Sequence, residues 1–480
     1  MKVNGEVFLA SVLLPFLLII LYKLEGRSAD TAAAIITGLA FLLNSYGTYE
    51  FFRAGEEKVY HYSYASGGNL GEIFGLNVDV ASVLMGFTSI LVGFLLVLYA
   101  ADYMGPKNRE FPLDVGKGRF YALVGLLMGS SMLFIYATNL IQFLVALELM
   151  AIALLYLVNF YGNAKGKGLK AFLVLNLAVF LIIGASAILG SSQELAKMGS
   201  VAQSTKDTAF ALLIFAALAM SSQFFFYSWL PDATASPVPA SAYVHSASII
   251  PLGSFMLFRV IQYMNPGKDD FWLLGLLTVA LILLMMIYYP LQRDGKRLIA
   301  YSTMAQAGVA YITLAYALLG HVEGLQIAVY QVVNHAFVKA LAFVSVGTFA
   351  YSLGTTDFTR IRGVRKSLPW ASIGWFLSFL GLAGVLPLGL FFSKAFTIMS
   401  TRHAQGIASW LFPGTVLFDA AIFLVVVLLW FNRIFFGDPE PAPEDHSTKL
   451  MIAVMVILIF IGIVAPWITL DIVMKIGFAG

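Results

Sequence analysis

The residues best placed for chemistry in this sequence are ionisable side chains in the middle of long apolar segments. Glu148 is the one acid between Asn139 and Tyr161, a stretch that is otherwise nearly all apolar. An ionisable side chain at bilayer mid-depth costs roughly 2.5–3.5 kcal/mol on insertion scales, so such residues usually have a function. Glu148 is therefore a candidate for ion binding or proton transfer.

A second polar group lies in QVVNHAFVKALAF, which places Gln331, His335 and Lys339 at positions i, i+4 and i+8. On a helix these side chains lie along one face, and we call them the polar stripe. Proton transfer needs groups that bind and release protons, as imidazole and a desolvated lysine amine do. A lone histidine is more often a packed core residue, but three aligned polar side chains favour a proton relay.

Lys394 lies in FLSFLGLAGVLPLGLFFSKAF, which also contains Pro387 among several glycines. Proline removes a backbone donor and breaks or kinks a helix. In membranes such breaks are tolerated where the backbone lines a cavity. We therefore predict a broken helix with a buried lysine near the break.

Three other charged residues lie near segment ends in the sequence: Asp79, Arg259 and Asp419. For these, snorkelling or structural pairing is the simpler interpretation.

Membrane-spanning helices must position these side chains. Of the 480 residues, 60% are hydrophobic and 11% are charged, with a mean hydropathy of +0.86, whereas a soluble protein has about 25% charged residues. Apolar runs of about 20 residues recur along the chain, each long enough to cross a membrane as a helix. They predict about fourteen spans, near 6–22, 31–47, 79–101, 119–137, 139–161, 168–190, 208–230, 240–262, 272–290, 297–319, 325–350, 369–398, 408–432 and 450–472.

Composition also limits the chemistry. The chain has no cysteine, so we expect no thiolate-bound iron–sulfur cluster, no disulfide and no cofactor, and any electron transfer would occur in partner subunits. The net charge of +3 is spread over loops and does not indicate nucleic-acid binding. Lysine and arginine are concentrated in the loops after odd-numbered spans, which predicts cytoplasmic basic loops and both termini outside.

WLPDATASPVPASAYVHSASII (229–250) resembles a motif of the antiporter-like subunits of respiratory complex I. That family includes the large subunits of Mrp-type sodium/proton antiporters and the membrane arms of energy-converting hydrogenases. Further stretches match in order: LNVDVASVLM, LYAADYM, KRLIAYSTMAQAG, NHAFVKALAFVSVG, LPLGLFFSKAF and NRIFFGDP. The chain is most similar to Mrp D-type subunits and to subunits of archaeal membrane-bound hydrogenases and sulfur reductases.

The resemblance implies an all-α polytopic membrane protein in one domain, 1–480, with broken helices and two inverted five-helix repeats. Spans 4–8 (119–262) and spans 9–13 (272–432) would form the two half-channels. The family's ion path uses charged side chains on several spans, and the positions of this chain that match them are Glu148, His245, His335, Lys339 and Lys394. Gln331 stands where some relatives have a second histidine.

The seventh span departs from the family pattern K-S-A-Q-x-P-x-H-T-W-L-P-D-A. This sequence has MSSQFFFYSWLPDA, so Met220 replaces the lysine, Phe225 the helix-breaking proline and Tyr227 the histidine. Without that lysine, a buried Glu148 is costly to ionise, and we expect it to stay neutral much of the time. The nearest candidates to hydrogen-bond its carboxyl group are Ser221, Ser222 and Gln223.

The resemblance implies an ion-translocating subunit in the plasma membrane, within a multi-subunit complex that is redox-driven or an Mrp antiporter. Its partners would be antiporter-like and small Mrp-type subunits, a peripheral redox arm, lipid, and protons or sodium ions. One alternative is a structural scaffold that has lost transport in its first half, and another is a standalone transporter. The sequence leaves open the ion, the complex and its electron acceptor, and whether a partner supplies a cation to Glu148.

Overall fold

The structure is a computed structural model that describes residues 3–55, 58–68, 71–112, 116–162, 164–400, 404–437 and 447–478. Within these ranges the chain is mostly helical, with one two-stranded sheet. The elements up to the middle of the chain are α1 Gly5–Leu13, a 3₁₀ helix Leu14–Lys23, α2 Gly26–Ala54, β1 Tyr60–Ser66, β2 Glu72–Val78, α3 Val80–Tyr103, α4 Lys117–Ile135, α5 Leu140–Val158, α6 Lys167–Leu189, a 3₁₀ turn Gly190–Gln193, α7 Leu195–Met198 and α8 Gln203–Met220.

The second part of the chain continues the same pattern of long helices with short connections. Its elements are α9 Leu230–Ala233, α10 Val238–Ser246, α11 Ile249–Met264, α12 Asp270–Tyr288, a 3₁₀ turn Tyr289–Leu291, α13 Gly295–Leu318, α14 Val322–Leu353, α15 Pro369–Ala383, α16 Leu390–Ser400, α17 Ala408–Phe436 and α18 Lys449–Val473. The predicted boundary between the two repeats falls in the short connection between α11 and α12.

Twelve helical segments of the described ranges are long and apolar enough to cross a membrane. They correspond to predicted spans 1–6, 8–11, 13 and 14. The remaining two are the interrupted ones: span 7 contains α8, and span 12 is divided into the short helices α15 and α16. The prediction of an all-α polytopic membrane protein is therefore confirmed, and the two exceptions mark the broken helices.

The helices form a buried centre and an outer layer. α14 is buried along nearly all of its length and packs against α3, α10, α13, α15 and α18. α13 is buried in the same way, whereas only about a third of the residues in the spans of α2, α6, α17 and α18 are buried. Apolar side chains cover that outer layer, as expected for a surface that faces lipid or other subunits. The polar stripe therefore lies on one of the most enclosed helices in the described part of the chain.

Span 12 breaks where the sequence predicts it. α15 ends at Ala383, Gly384 adopts a left-handed conformation with φ +81°, and α16 begins at Leu390. Glycine is favoured at this position because a side chain there is strained. A Cβ on Gly384 would also approach Lys394 Cδ to 3.0 Å. Pro387 lies in the connection, which keeps the segment from continuing as one helix.

Span 7 is also broken, although Phe225 stands in the place of the family proline. α8 ends at Met220, and the chain continues through turns to the short helix α9. Ser222 and Phe225 adopt left-handed conformations, with φ +53° and +73°, which cost about 1–2 kcal/mol each for residues with a side chain. The break therefore does not depend on proline. Span 8 has a further break that we did not predict, at Ala247 and Ser248 between α10 and α11.

The excursion after α2 contains an antiparallel β-hairpin that we did not predict. β1 pairs with β2 in a register that places Tyr60 opposite Val78 and Tyr62 opposite Leu76. Asn77 Nδ2 donates to Tyr263 Oη at 2.8 Å, which ties the hairpin to the end of α11. The hairpin leads directly into the cap of α3 and fixes the ends of several spans.

The first buried ion pair of the fold joins α3 and α11. Arg259 Nη2 donates to Asp79 Oδ1 at 2.7 Å, and Asp79 also caps α3 by accepting a hydrogen bond from the Ser82 backbone N–H at 2.8 Å. Arg259 is fully enclosed and lies over the rings of Phe255 and Phe258. The pair therefore serves the packing of two helices, as the structural interpretation of these two residues expects.

Candidate functional site: a polar network at the centre of the membrane

His245 lies in the last turn of α10, beside the break of span 8, and is fully buried. Its Nδ1 lies 3.1 Å from Thr303 Oγ1, and the Thr303 hydroxyl donates to the Ile299 carbonyl at 2.8 Å. Because a hydroxyl has one hydrogen, Thr303 must accept from an N–H at Nδ1. Nε2 of the neutral ring is then an acceptor, and it has no hydrogen-bond partner in the described part of the chain.

Lys339 occupies the middle of α14 and is fully buried. Its Nζ donates to Ser302 Oγ at 2.7 Å and to the Ile299 carbonyl at 3.2 Å. The same carbonyl accepts from Thr303, so one backbone oxygen on α13 joins the His245 side to the Lys339 amine. Among the described residues, no carboxylate forms an ion pair with Lys339.

Gln331 and His335 continue the polar stripe along α14. Successive members are about 6 Å apart along the helix axis, four residues at about 1.5 Å each. His335 is buried and its Nε2 has no hydrogen-bond partner within the described ranges. Gln331 Nε2 donates to the Gln306 side-chain oxygen at 3.1 Å, and Ser393 donates to the Gln331 side-chain oxygen. The Gln331 end of the stripe therefore contacts the second half of span 12, and Lys339 lies at the other end.

The break of span 12 supplies a backbone acceptor to this network. The last carbonyl groups of a helix have no partner within the helix, and the Leu382 carbonyl at the end of α15 is one of them. It accepts from Lys394 Nζ at 3.0 Å and from Gln306 Nε2 at 3.0 Å. The lysine that we predicted near this break thus binds one of its free carbonyls directly.

Asp419 is the counter-ion of Lys394. Its Oδ2 lies 3.4 Å from Lys394 Nζ, and its Oδ1 accepts a hydrogen bond from Tyr289 Oη at 2.8 Å. Both members of the pair are almost completely buried. The sequence interpretation placed Asp419 near the end of its span, which is wrong because α17 extends from Ala408 to Phe436 and Asp419 lies well inside it.

Glu148 does not join this network. It lies near the middle of α5 but on its outer side, between partly exposed residues such as Leu144 and Ile152, and it is itself partly exposed. Its buried Oε2 has no hydrogen-bond partner in the described residues. The expectation that Ser221, Ser222 and Gln223 hydrogen-bond to it is wrong: Ser221 Oγ donates to the Ile250 carbonyl at 2.7 Å, and Gln223 Nε2 to the Met304 carbonyl at 3.1 Å.

The carbonyls at the break of span 7 have different donors. Met220 is fully buried at the end of α8, and its apolar side chain cannot donate to them as a lysine amine would. The Ala217 and Ala219 carbonyls accept the backbone N–H groups of Ser221 and Ser222, at 2.9 and 3.3 Å. Tyr311 Oη donates in addition to the Ala217 carbonyl at 2.8 Å, and Trp229 Nε1 to the Ala219 carbonyl at 3.2 Å. Neither aromatic donor exchanges protons readily at neutral pH.

Sequence reasoning found the ionisable members of the network but missed the groups that connect them. The missed residues are Tyr289, Ser302, Thr303, Gln306, Ser393 and Asp419. A signal was present in YSTMAQ, where Ser302, Thr303 and Gln306 recur at helical spacing within an apolar helix. The structure thus forms two hydrogen-bonded groups, one around His245 and Lys339 and one around Lys394 and Gln331. His335 lies between them on the polar stripe, and Glu148 lies outside both groups.

Comparison with known families gives this geometry a context. The sequence profile of the family described as NADH:quinone oxidoreductase/Mrp antiporter, TM, matches residues 137–438, which is more than half of the chain. The chain belongs to this family. The match contains every site residue named above, so the network lies within the part of the protein that defines the antiporter family.

Individual relatives agree with that assignment. The chain is 30% identical over 456 residues to the A/B component of a probable K⁺/H⁺ antiporter of Rhizobium meliloti, covering 91% of this chain and 44% of the relative. It is 26% identical over 427 residues to the A1 component of a Na⁺/H⁺ antiporter of Staphylococcus haemolyticus, covering 82% and 52%. The chain thus spans about half the length of the curated antiporter subunits that it matches.

Two solved structures share the fold. One belongs to the Mrp complex of Dietzia sp. DQ12-45-1b, with a TM-score of 0.82, 21% identity, and coverage of 98% of this chain and 51% of the other. The other belongs to the membrane-bound sulfane sulfur reductase, an archaeal respiratory membrane complex, with a TM-score of 0.81, 20% identity, and coverage of 98% and 96%. At this level of identity the likeness concerns the fold.

Proposed function

We propose that this chain translocates protons or sodium ions as one component of a multi-subunit membrane complex, chiefly through its second half. The observation that carries the proposal is the buried group of His245, Lys339 and Lys394, with Gln331 and His335 on the stripe between them. Buried proton-binding groups that follow one another through an apolar interior are what a proton relay requires. The relatives named as antiporter subunits and the two complexes of the same fold support this activity and this setting.

In this proposal Lys339 is the central relay. Its amine shares the Ile299 carbonyl with the His245 side through Thr303, and the polar stripe leads from it toward Lys394. Lys394 then controls the last step of ion passage through the second half. Its amine contacts both the Leu382 carbonyl and Asp419 and can move between them. Lysine suits both positions because its charge depends strongly on its surroundings.

We place the chain in the plasma membrane, with its basic loops in the cytoplasm and both termini outside. Its partners would be antiporter-like and small Mrp-type subunits, and a peripheral arm would carry any redox reaction. The partly exposed Glu148 is a point where a neighbouring subunit could supply a cation.

A scaffold role is the second candidate function. Met220 favours it for the first half, as does Glu148 Oε2, which has no hydrogen-bond partner in the described part of the chain.

Lys339→Ala tests the proposal. We expect it to reduce ion transport by the intact complex in membrane vesicles by roughly 10²-fold, while any redox reaction of the partner subunits stays largely intact. Lys117→Ala is the matched control, because Lys117 is also buried but pairs with Asp30 at 2.7 Å, away from the network. Unchanged transport in Lys339→Ala, with assembly intact, would favour the scaffold role instead.

A further inference from the structure

The Lys394–Asp419 pair lies below a closed aromatic contact. Phe423 is one helical turn beyond Asp419 on α17 and is fully buried. Its ring meets the ring of Tyr289 edge to face, with 4.9 Å between centroids, and it also stacks on Phe379 at 6.1 Å. Tyr289 at the same time holds Asp419 Oδ1. We call the Tyr289–Phe423 contact the aromatic plug.

Beyond the plug lies an open cleft of about 550 Å³ between the end of α12 and the last turns of α17. Pro290, which follows Tyr289 directly, lines the cleft, and so does Val426, one turn beyond Phe423. Asn432 and Arg433 form its polar part. The cleft opens on the face that carries the short connection from α12 to α13, with Arg293 and Lys296, and we call this the basic-loop face.

Lys394, Asp419, the aromatic plug and the cleft follow one another from the interior toward the surface. Lys394 contacts Asp419, and Asp419 contacts Tyr289. The next residue after Tyr289 and a residue one turn beyond Phe423 line the cleft, so the plug lies between Asp419 and the cleft along both segments. A carboxylate buried at this depth is expensive even when it is paired, because the ion pair does not fully offset its desolvation. The partner also matters: Asp79 pairs with an arginine, which keeps its proton, whereas Asp419 pairs with a lysine, whose amine can lose its proton in a buried site.

We propose that Asp419 exchanges protons with Lys394 and connects the group around Lys394 to the basic-loop face through this cleft. In the step, the Lys394 ammonium transfers a proton from Nζ to Oδ2 of the Asp419 carboxylate, which leaves a neutral amine and a neutral carboxylic acid. When the plug opens, the acid releases that proton to water from the cleft and the carboxylate is restored. Transport in the other direction reverses each step.

Tyr289 is a positioning residue in this scheme. Its hydroxyl donates to Oδ1, which leaves Oδ2 directed at the lysine amine. Because Oδ1 and the plug depend on the same side chain, rotation of Tyr289 both frees an oxygen of Asp419 and opens the way to the cleft. The inference rests on the proposed function, since it names the group that completes the path of Lys394.

The first experiment compares Asp419→Asn, Asp419→Glu and Lys394→Met in the intact complex in membrane vesicles. We expect Asp419→Asn to reduce ion transport by roughly 10²-fold, and Asp419→Glu to keep a substantial part of it. If Lys394→Met abolishes transport and Asp419→Asn leaves it unchanged, the inference about Asp419 is wrong and the proposed function stands. If Lys394→Met also transports normally, the proposed function itself fails.

Loss of the carboxylate also leaves the Lys394 charge buried without a partner, so Asp419→Asn could fail to assemble. A second measurement does not depend on that variant. The chain has no cysteine, and single cysteines therefore report water access directly. Leu429→Cys lies in the cleft and Phe423→Cys at the plug, while Phe460→Cys on the exposed side of α18 is the lipid-facing control.

We expect a membrane-impermeant, positively charged thiol reagent to modify Leu429→Cys from the basic-loop face at once. Phe423→Cys should react from that face faster during turnover than at rest, and its modification should reduce transport by at least about tenfold. Phe460→Cys should not react. Modification of Phe423→Cys only from the opposite face, or modification without any effect on transport, would overturn the inference.

Discussion

The breaks of spans 7 and 12 differ in their chemistry. In span 12 the free carbonyl of Leu382 binds a lysine amine, whose charge is balanced by Asp419. In span 7 the carbonyls of Ala217 and Ala219 accept backbone N–H groups and, in addition, a tyrosine hydroxyl and an indole N–H. Both breaks have donors for their carbonyls, but of the two only span 12 places a lysine and a carboxylate there.

This difference separates two properties that a broken membrane helix usually combines. The break itself needs only residues that tolerate the turn and donors that satisfy the free carbonyls. Ion chemistry needs more: a titratable group at the break, a counter-charge, and a connected route on either side. Span 7 keeps the first property without proline and lacks the second, whereas span 12 has both.

The largest expected effect comes from removing the lysine of span 12. Lys394→Met should reduce ion transport by roughly 10²-fold, because it removes the amine that joins the Leu382 carbonyl to Asp419. Transport should stop at a late step and the dependence of activity on pH and sodium should change. The same dependence in Lys394→Met and in the unmodified protein would show that the two broken helices do not differ as we describe.

The next effect should follow from breaking the buried Asp79–Arg259 pair, and it should appear in stability and not in transport. Arg259→Met leaves Asp79 buried without its partner, which costs about 3–5 kcal/mol. We expect a lower melting temperature of the purified complex and normal transport per assembled complex. A transport defect in fully assembled Arg259→Met would give the pair a role in the ion path. Ion transport would then not depend chiefly on the second half.

Restoring a lysine to span 7 should have a moderate effect. Met220→Lys buries an amine at a helix end whose carbonyls already have donors, and we expect a loss of about 1–3 kcal/mol in stability with no gain in transport. Met220→Leu, which keeps the apolar character, should be close to the unmodified protein. Increased transport in Met220→Lys would mean that a single lysine suffices to activate the first half.

The smallest effect should come from Glu148→Gln, which imitates a protonated carboxyl group. Glu148 makes no hydrogen bond through its buried Oε2 in the described residues and lies outside the network. We expect ion transport to change by less than about twofold, compared with roughly 10²-fold for the residues of the second half. A large loss in Glu148→Gln would instead indicate that a neighbouring subunit supplies the missing cation across the outer side of α5.

Much of the fold follows from the sequence because membrane spans depend on local composition. The ends of α3, α6, α12 and α18 lie close to the predicted boundaries, since length and apolarity define a helix in lipid. The break at Gly384 was also visible, because glycine and proline act locally. The break between α10 and α11 was not, because its carbonyl at Ala247 is satisfied by Ser89, a residue far away in the chain.

The candidate site could also be predicted only where local sequence determines it. Gln331, His335 and Lys339 align through helical periodicity alone, so the stripe could be predicted. Their connections could not, since they depend on how α13, α15 and α17 pack beside α14. Asp419 was misplaced for that reason: its burial and its role as a counter-ion come from the rotation of α17 against α16, which no periodicity within α17 reveals.

The aromatic donors of span 7 also bear on how such a protein changes over time. Once Trp229 and Tyr311 bind the carbonyls at the end of α8, a lysine that returns to position 220 finds its acceptors occupied. Loss of the lysine can occur in one substitution, whereas its useful return requires at least one of these neighbours to change as well. Under the proposed function, in which the first half does not carry ions, these aromatic contacts make that arrangement harder to reverse while the fold remains intact.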